Sequence, residues 1–169
     1  VAGIAERIRL IANHGSARKY MHDVIGVNSR LDTVQSVVLN AKLQRLEEWN
    51  ARRRAAAALY GQLLADVPGV RVPRSMAGNV DVWHLYVIRV ARRDEVLASL
   101  QESGIGAGIH YPYPLHLTRA YRSLGYRRKD FPVAEQAASE ILSLPLYPHI
   151  TPAQQSQVVS ALRTAIGRA

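Results

Sequence analysis

Apolar residues recur at helical spacing at the start of the chain, where Ile4, Ile8 and Ile11 mark one face of VAGIAERIRLIANHG. A polar, glycine-marked segment follows from Asn13 to Arg30, and the helical period resumes at Val34, Val37, Val38, Ala41, Leu43 and Leu46. It continues through the alanine-rich RRRAAAALYGQLLADV to a turn at Pro68-Gly69. The spacing therefore predicts one long helix over 33–68, with room for a kink, longer than globular helices usually run. Beyond it the texture changes. Val70 to Val72 is a short β-like piece, and Trp83 to Val90 is a strand rich in β-branched and aromatic residues. Asp94 to Ser103 reads as a helix and Ile105 to Ile109 as a short strand. Ala134 to Leu142 and Pro152 to Ile166 read as helices, the second with Thr151 as N-cap and Pro152 at its first position. The pattern falls into three stretches: 1–32, 33–68 and a small α+β lobe over 69–169.

A length of 169 residues suits one domain, or one and a fraction, and 48% hydrophobic composition is enough for a buried core. The chain starts at Val1 inside a helical pattern, with no N-cap before Ile4, as expected of a piece of a longer protein. No apolar run reaches the length of a membrane span. Cysteine is absent, which excludes disulfides and thiolate metal sites and fits a reducing cytoplasm. Lys and Arg number 22 against 13 Asp and Glu, a net charge of +9. That excess favours an anionic partner or simply solvates arginine-rich helices. The basic residues are dispersed apart from Arg52 to Arg54 and Arg127 to Lys129, and no aromatics interleave with them as an RNA-binding sheet requires.

Candidate chemistry concentrates in GIGAGIHYPYPLHLTRAY, Gly104 to Tyr121, a loop with His, Tyr and Arg and no acid. Such a loop binds an anion or decorates a surface. Asn28-Ser29-Arg30-Leu31-Asp32 precedes the long helix; Ser29 or Asp32 suits a helix cap, and Arg30 a solvated charge or an anion ligand. His14, His22 and His116 read equally as site or structural residues, His84 as packed beside Trp83 and Tyr86, and Leu144 to Pro148 as core and turn.

The ordered set RLIANHGSARKYMHDVIGVNSRLDTVQSVVLNAKL, GIGAGIHYPYPLHL and ILSLPLYPHIT resembles the C-terminal half of a nucleotide-sugar aminotransferase of the DegT/StrS family. The resemblance spans nearly the whole chain and rests on motif order rather than on any one motif. It implies an α/β fold of the fold-type I, aspartate aminotransferase-like kind. Residues 1–32 would be the end of the large cofactor-binding lobe and an interface loop, 33–68 the connecting helix, and 69–169 the small lobe. It implies pyridoxal 5'-phosphate as cofactor, a homodimer with shared active sites, and a cytoplasmic location. It also implies transfer of an amino group from glutamate or glutamine to a nucleotide-linked keto sugar in amino-sugar biosynthesis. Neither membrane nor nucleic acid is expected as a partner.

By the same resemblance Asn28 matches the asparagine whose amide reaches the cofactor phosphate across the dimer interface. Arg30 matches a basic residue facing the sugar nucleotide, and His110 and Tyr111 match substrate-facing positions. No catalytic residue is expected here. Lys19, Lys42 and Lys129 all lie outside the family's lysine motif, so the Schiff-base lysine belongs upstream, and this segment alone should be inactive. Asn-Ser-Arg-Leu-Asp together with His-Tyr-Pro-x-Pro-Leu resembles members that aminate a 3-keto rather than a 4-keto sugar. Some relatives replace the lysine with histidine and dehydrate instead. The competing readings are a basic α+β nucleic-acid-binding module and a non-catalytic remnant.

Overall fold

A computed structural model describes residues 2–168 and parts the chain between Leu46 and Glu47 into two units. In the first, helix α1 (Ala2–Ala12) stops where His14 and Gly15 turn left-handed, at φ 57° and 70°. The Gly15 N–H then reaches back to the Leu10 carbonyl, which supplies an end-of-helix partner. A small antiparallel ribbon follows, β1 (Ser16–Arg18) against β2 (Met21–His22), with Ser16 opposite His22.

The returning chain crosses this helix end at van der Waals distance. A Cβ on Gly15 would lie 1.7 Å from the Val24 carbonyl oxygen, and one on Gly26 would lie 2.1 Å from the Gly15 nitrogen. No larger residue fits either position. The crossing is pinned by bonds from His14 N–H to Val27 O, Val27 N–H to Ile11 O and Ser29 N–H to Ala12 O. Helix α2 (Thr33–Leu43) then starts at Asp32, whose carboxylate accepts the Gln35 N–H at 2.8 Å. Neither α1 nor α2 buries a residue, and Ile4, Ile8, Val34 and Val37 are exposed. Backbone bonds, not a core, define this unit.

The helical period over 33–68 is interrupted. Residues 44–45 form a turn between α2 and helix α3 (Leu46–Leu63), so the sequence expectation of one helix gives way to two. Gln44-Arg45 carries strong helix formers, so propensity gives no warning of the break. The last turn ends earlier than the pattern suggests, and Leu64 to Asp66 close it.

The second unit holds the core. Strands β3 (Tyr86–Arg89) and β4 (Ile141–Leu144) pair antiparallel, with Tyr86 opposite Leu144 and Ile88 opposite Leu142. A single bridge flanks each outer edge, Arg71 to Arg89 and Gly108 to Ser143. The two short strands expected around Val70 and Ile105 are thus reduced to one paired residue each. Helices α3, α4 (Arg93–Glu102) and α6 (Pro152–Arg168) supply Tyr60, Leu100 and Leu162, and with Ile88 and Leu142 these are wholly buried. The Tyr60 hydroxyl donates to the Pro145 carbonyl at 2.9 Å, and burial pushes its pKa upward. Buried Gln155 donates to the Ala56 carbonyl at 2.8 Å, tying α6 to α3.

Two local differences from the sequence expectation have clear causes. β3 starts late because Trp83 takes a left-handed φ of 52°. Helix α5 (Pro132–Glu140) ends before Leu142, and its chain passes straight into β4. The buried Arg93 guanidinium makes that abrupt stop feasible by donating to the Ala138 and Ile141 carbonyls. Thr151 caps α6 as expected, and Gln154 completes a reciprocal box by accepting the Thr151 N–H at 2.9 Å.

Candidate functional site

In the first unit the helix-end crossing places Asn13 opposite Asn28 as a bridged pair. Arg30 lies beside both. Its Nη1 donates to Asn13 Oδ1 at 3.1 Å and its Nε to Asn28 Oδ1 at 3.3 Å. A guanidinium has only donors, so both asparagines must turn their oxygens toward it. Asn13 directs its amide nitrogen to the Ser16 carbonyl at 3.3 Å. The Asn28 Nδ2 has no partner among the described residues and is left as a donor.

Asn28 and Arg30 line a polar depression of about 670 Å³ formed by Asn28 to Thr33 and Gln35, whereas Asn13 lines the unit's other depression. The former sits at the N-terminal end of α2, where unpaired backbone N–H groups and the helix dipole favour an anion. The Asp32 carboxylate opposes this, but one of its oxygens is engaged as the helix cap. The unit's larger depression, about 880 Å³, is lined by Arg7, Leu10, Ile11, Val24 and Ile25 among others, and holds neither Asn28 nor Arg30.

In the second unit His110 and Tyr111 follow the residue pair that docks the loop on β4. Gly108 and Ser143 exchange both backbone bonds, at 3.1 and 2.7 Å. The His110 ring lies over Gly108, where a Cβ would come within 3.3 Å of its Cε1. Its Nδ1 sits 2.9 Å from the buried Ser143 hydroxyl. Tyr111 packs edge-on to the ring, centroids 5.9 Å apart, and is 75% exposed. The pair therefore presents an imidazole nitrogen and a phenol to solvent from a backbone anchored in the sheet.

The other histidines separate by their partners. His116 is a structural residue: its buried ring meets Phe131 at 4.8 Å and Glu135 at 3.2 Å. His22 bonds through Nδ1 to the His14 carbonyl at 2.9 Å, which closes the ribbon. His84 was expected to pack in a strand, but it is exposed, because the turn at Trp83 takes it out of β3. The structure thus joins Asn28 to Arg30 in one unit and His110 to Tyr111 in the other. Sequence reasoning missed Asn13 and Ser143, whose roles arise from pairing with residues 15 and 35 positions away.

The cofactor that the resemblance implies can be tested against these groups. A free amide donor beside an arginine at a helix N-terminus suits a phosphate ester. None of the three lysines lines the depression around Asn28. Lys19 lies 5.0 Å over the exposed Tyr20 ring, Lys42 closes α2, and Lys129 occupies a left-handed turn. The residues around Asn28 fit the phosphate end of pyridoxal phosphate.

Several of the basic residues are engaged in ion pairs. Arg52 and Arg54 pair with Glu48 and Glu47, Arg71 and Arg89 share Glu140, and Arg163 pairs with Asp66. Among the described residues, no helix is long and apolar enough to cross a membrane.

Comparison with known proteins bears on the fold and the family. The family model described as "DegT/DnrJ/EryC1/StrS aminotransferase family" matches residues 2–163. The chain is 45% identical to the erythromycin biosynthesis sensory transduction protein EryC1 of Saccharopolyspora erythraea, over 95% of this chain and 44% of that protein. It is 42% identical to the dTDP-3-amino-3,4,6-trideoxy-alpha-D-glucose transaminase of Streptomyces venezuelae, over 95% of this chain and 42% of that protein. The crystal structure of S. venezuelae DesV in complex with a ketimine intermediate superposes with a TM-score of 0.89 at 42% identity, covering 98% of this chain and 45% of that one. The chain thus spans less than half the length of these relatives.

Proposed function

The chain belongs to the DegT/DnrJ/EryC1/StrS aminotransferase family, and on that premise we propose that the intact protein moves an amino group from glutamate or glutamine to a nucleotide-linked keto sugar. Bound pyridoxal phosphate supplies the electron sink for that exchange. The residues of this chain bind and orient. The Asn28 amide donates to the cofactor phosphate, with its direction fixed by Arg30. The remaining Arg30 nitrogen, Nη2, faces the anionic part of the sugar nucleotide. His110 and Tyr111 donate to oxygens of the sugar or its diphosphate. Pro112 and Pro114 stiffen that loop and lower the cost of ordering it. The cofactor-anchoring lysine belongs to a part of the intact protein outside this chain.

The observation that carries this reading is the double donation from Arg30 to Asn13 and Asn28, which turns a free amide donor outward at a helix N-terminus. The S. venezuelae relative named as a 3-amino sugar transaminase, at 42% identity, supports amination at C3 of the sugar. The uncovered apolar faces of α1 and α2 support a homodimer with shared sites, in which Asn28 serves its neighbour's cofactor. A cysteine-free chain suits the cytoplasm as its location.

Subunit mixing tests the shared site. Asn28→Ala homodimers should bind pyridoxal phosphate weakly, and homodimers lacking the anchoring lysine should be inactive. A mixed dimer has one site with both a lysine and a native Asn28 from the neighbour, so activity should return on mixing. Heterodimers that demonstrably form yet stay inactive would confine Asn28 to its own subunit or to no role.

A further inference from the structure

Ser143 is the one polar side chain on β4, between Leu142 and Leu144, and both leucines are buried in the core. Its hydroxyl emerges on the opposite face, 4% exposed, and His110 Nδ1 at 2.9 Å is its only side-chain partner among the described residues. We propose that Ser143 is a positioning residue that fixes the His110 tautomer, so that the outward Nε2 carries the proton and donates to an oxygen of the sugar nucleotide. The proposal rests on the substrate-facing reading of His110 given above.

A buried hydroxyl has one proton to give, and leaving it without an acceptor is destabilising, because the lost bond to water is not replaced. His110 Nδ1 is the only acceptor offered, so the Ser143 O–H points at it. A neutral imidazole that accepts at Nδ1 must hold its proton at Nε2. That nitrogen has no partner among the described residues, and the ring belongs to an exposed residue. Two further features hold the ring in place. The paired backbone of Gly108 and Ser143 fixes the loop base, and the absence of a side chain at Gly108 leaves room for the ring. The site would therefore favour a lone-pair oxygen, such as a carbonyl or diphosphate oxygen, over a group that can only donate.

The test has a spectroscopic arm and a kinetic arm, both on the intact protein. Histidine-selective nitrogen labelling should show His110, assigned by its loss in His110→Gln, with a proton on Nε2 and none on Nδ1 when the ring is neutral. Ser143→Ala should give a mixture of tautomers, and Ser143→Thr, which keeps the hydroxyl, should restore one. In single turnover, Ser143→Ala should slow the sugar-nucleotide half-reaction about tenfold and leave the amino-donor half-reaction unchanged, with recovery in Ser143→Thr. A wild-type ring protonated at Nδ1 overturns the proposal. So does a Ser143→Ala enzyme with native sugar kinetics when His110→Ala is impaired. Should His110→Ala also keep native sugar kinetics, the substrate-facing reading itself fails, whatever the tautomer.

Discussion

Arg30 donates to the side-chain oxygens of Asn13 and Asn28, and a lysine could not hold both, because its single ammonium lacks the planar fork. Arg30→Lys in the intact protein should therefore weaken both pyridoxal phosphate and sugar-nucleotide binding, by equilibrium titration of each. His110→Ala and Tyr111→Phe should instead weaken only the sugar nucleotide. Losing one hydrogen bond to a charged group costs about 1.5–3 kcal/mol, roughly ten- to a hundred-fold in affinity. Unchanged sugar kinetics in both loop variants would make that loop decorative. The sequence marks Asn28, Arg30, His110 and Tyr111 as candidates because each sits in a motif with a recognisable neighbourhood. It does not mark Asn13 and Ser143, because their roles come from a chain crossing and a strand edge that create contacts between distant positions. The outcome for His84 was hidden by backbone: nothing in Trp83-His84 announces a left-handed tryptophan.

At the scale of elements, capping and termination separate what the sequence revealed from what it hid. The start of α6 was legible from Thr151-Pro152, since cap chemistry is local. Thr151→Ala removes the acceptor for the Gln154 N–H and should destabilise the chain by about 1 kcal/mol, read as a lower melting temperature. The end of α5 was not legible, because its stop depends on Arg93, more than forty residues earlier. Glu140 at that junction accepts from Gln136, Arg71 and Arg89. The Gln136 bond first, then the two guanidiniums, hold its carboxyl below the usual carboxylate range. A depressed folded-state pKa stabilises the fold above the unfolded value near 4.3 and is lost as pH falls through the folded value. Wild type should therefore lose stability on acidification below about pH 4, and Glu140→Gln should show a flatter acid limb in melting temperature against pH.

Across the whole molecule, one unit has a core and the other has a backbone crossing with exposed apolar helices. The helical pattern of α1 and α2 was visible in the sequence, but among the described residues nothing in their own unit covers their apolar stripes. This matches a chain that spans less than half of its relatives' length. Expressed alone, it should neither form a covalent adduct with pyridoxal phosphate nor transfer nitrogen; a borohydride-trappable adduct on Lys19 that turned over an amino donor would overturn that. Nitrogen transfer by the intact protein is the most direct test. Intact protein supplied with pyridoxal phosphate, isotopically labelled glutamate or glutamine and a 3-keto nucleotide sugar should yield an amino sugar nucleotide carrying the label, detected by mass spectrometry. Cofactor-loaded protein that transfers no label to either a 3-keto or a 4-keto nucleotide sugar would contradict the account.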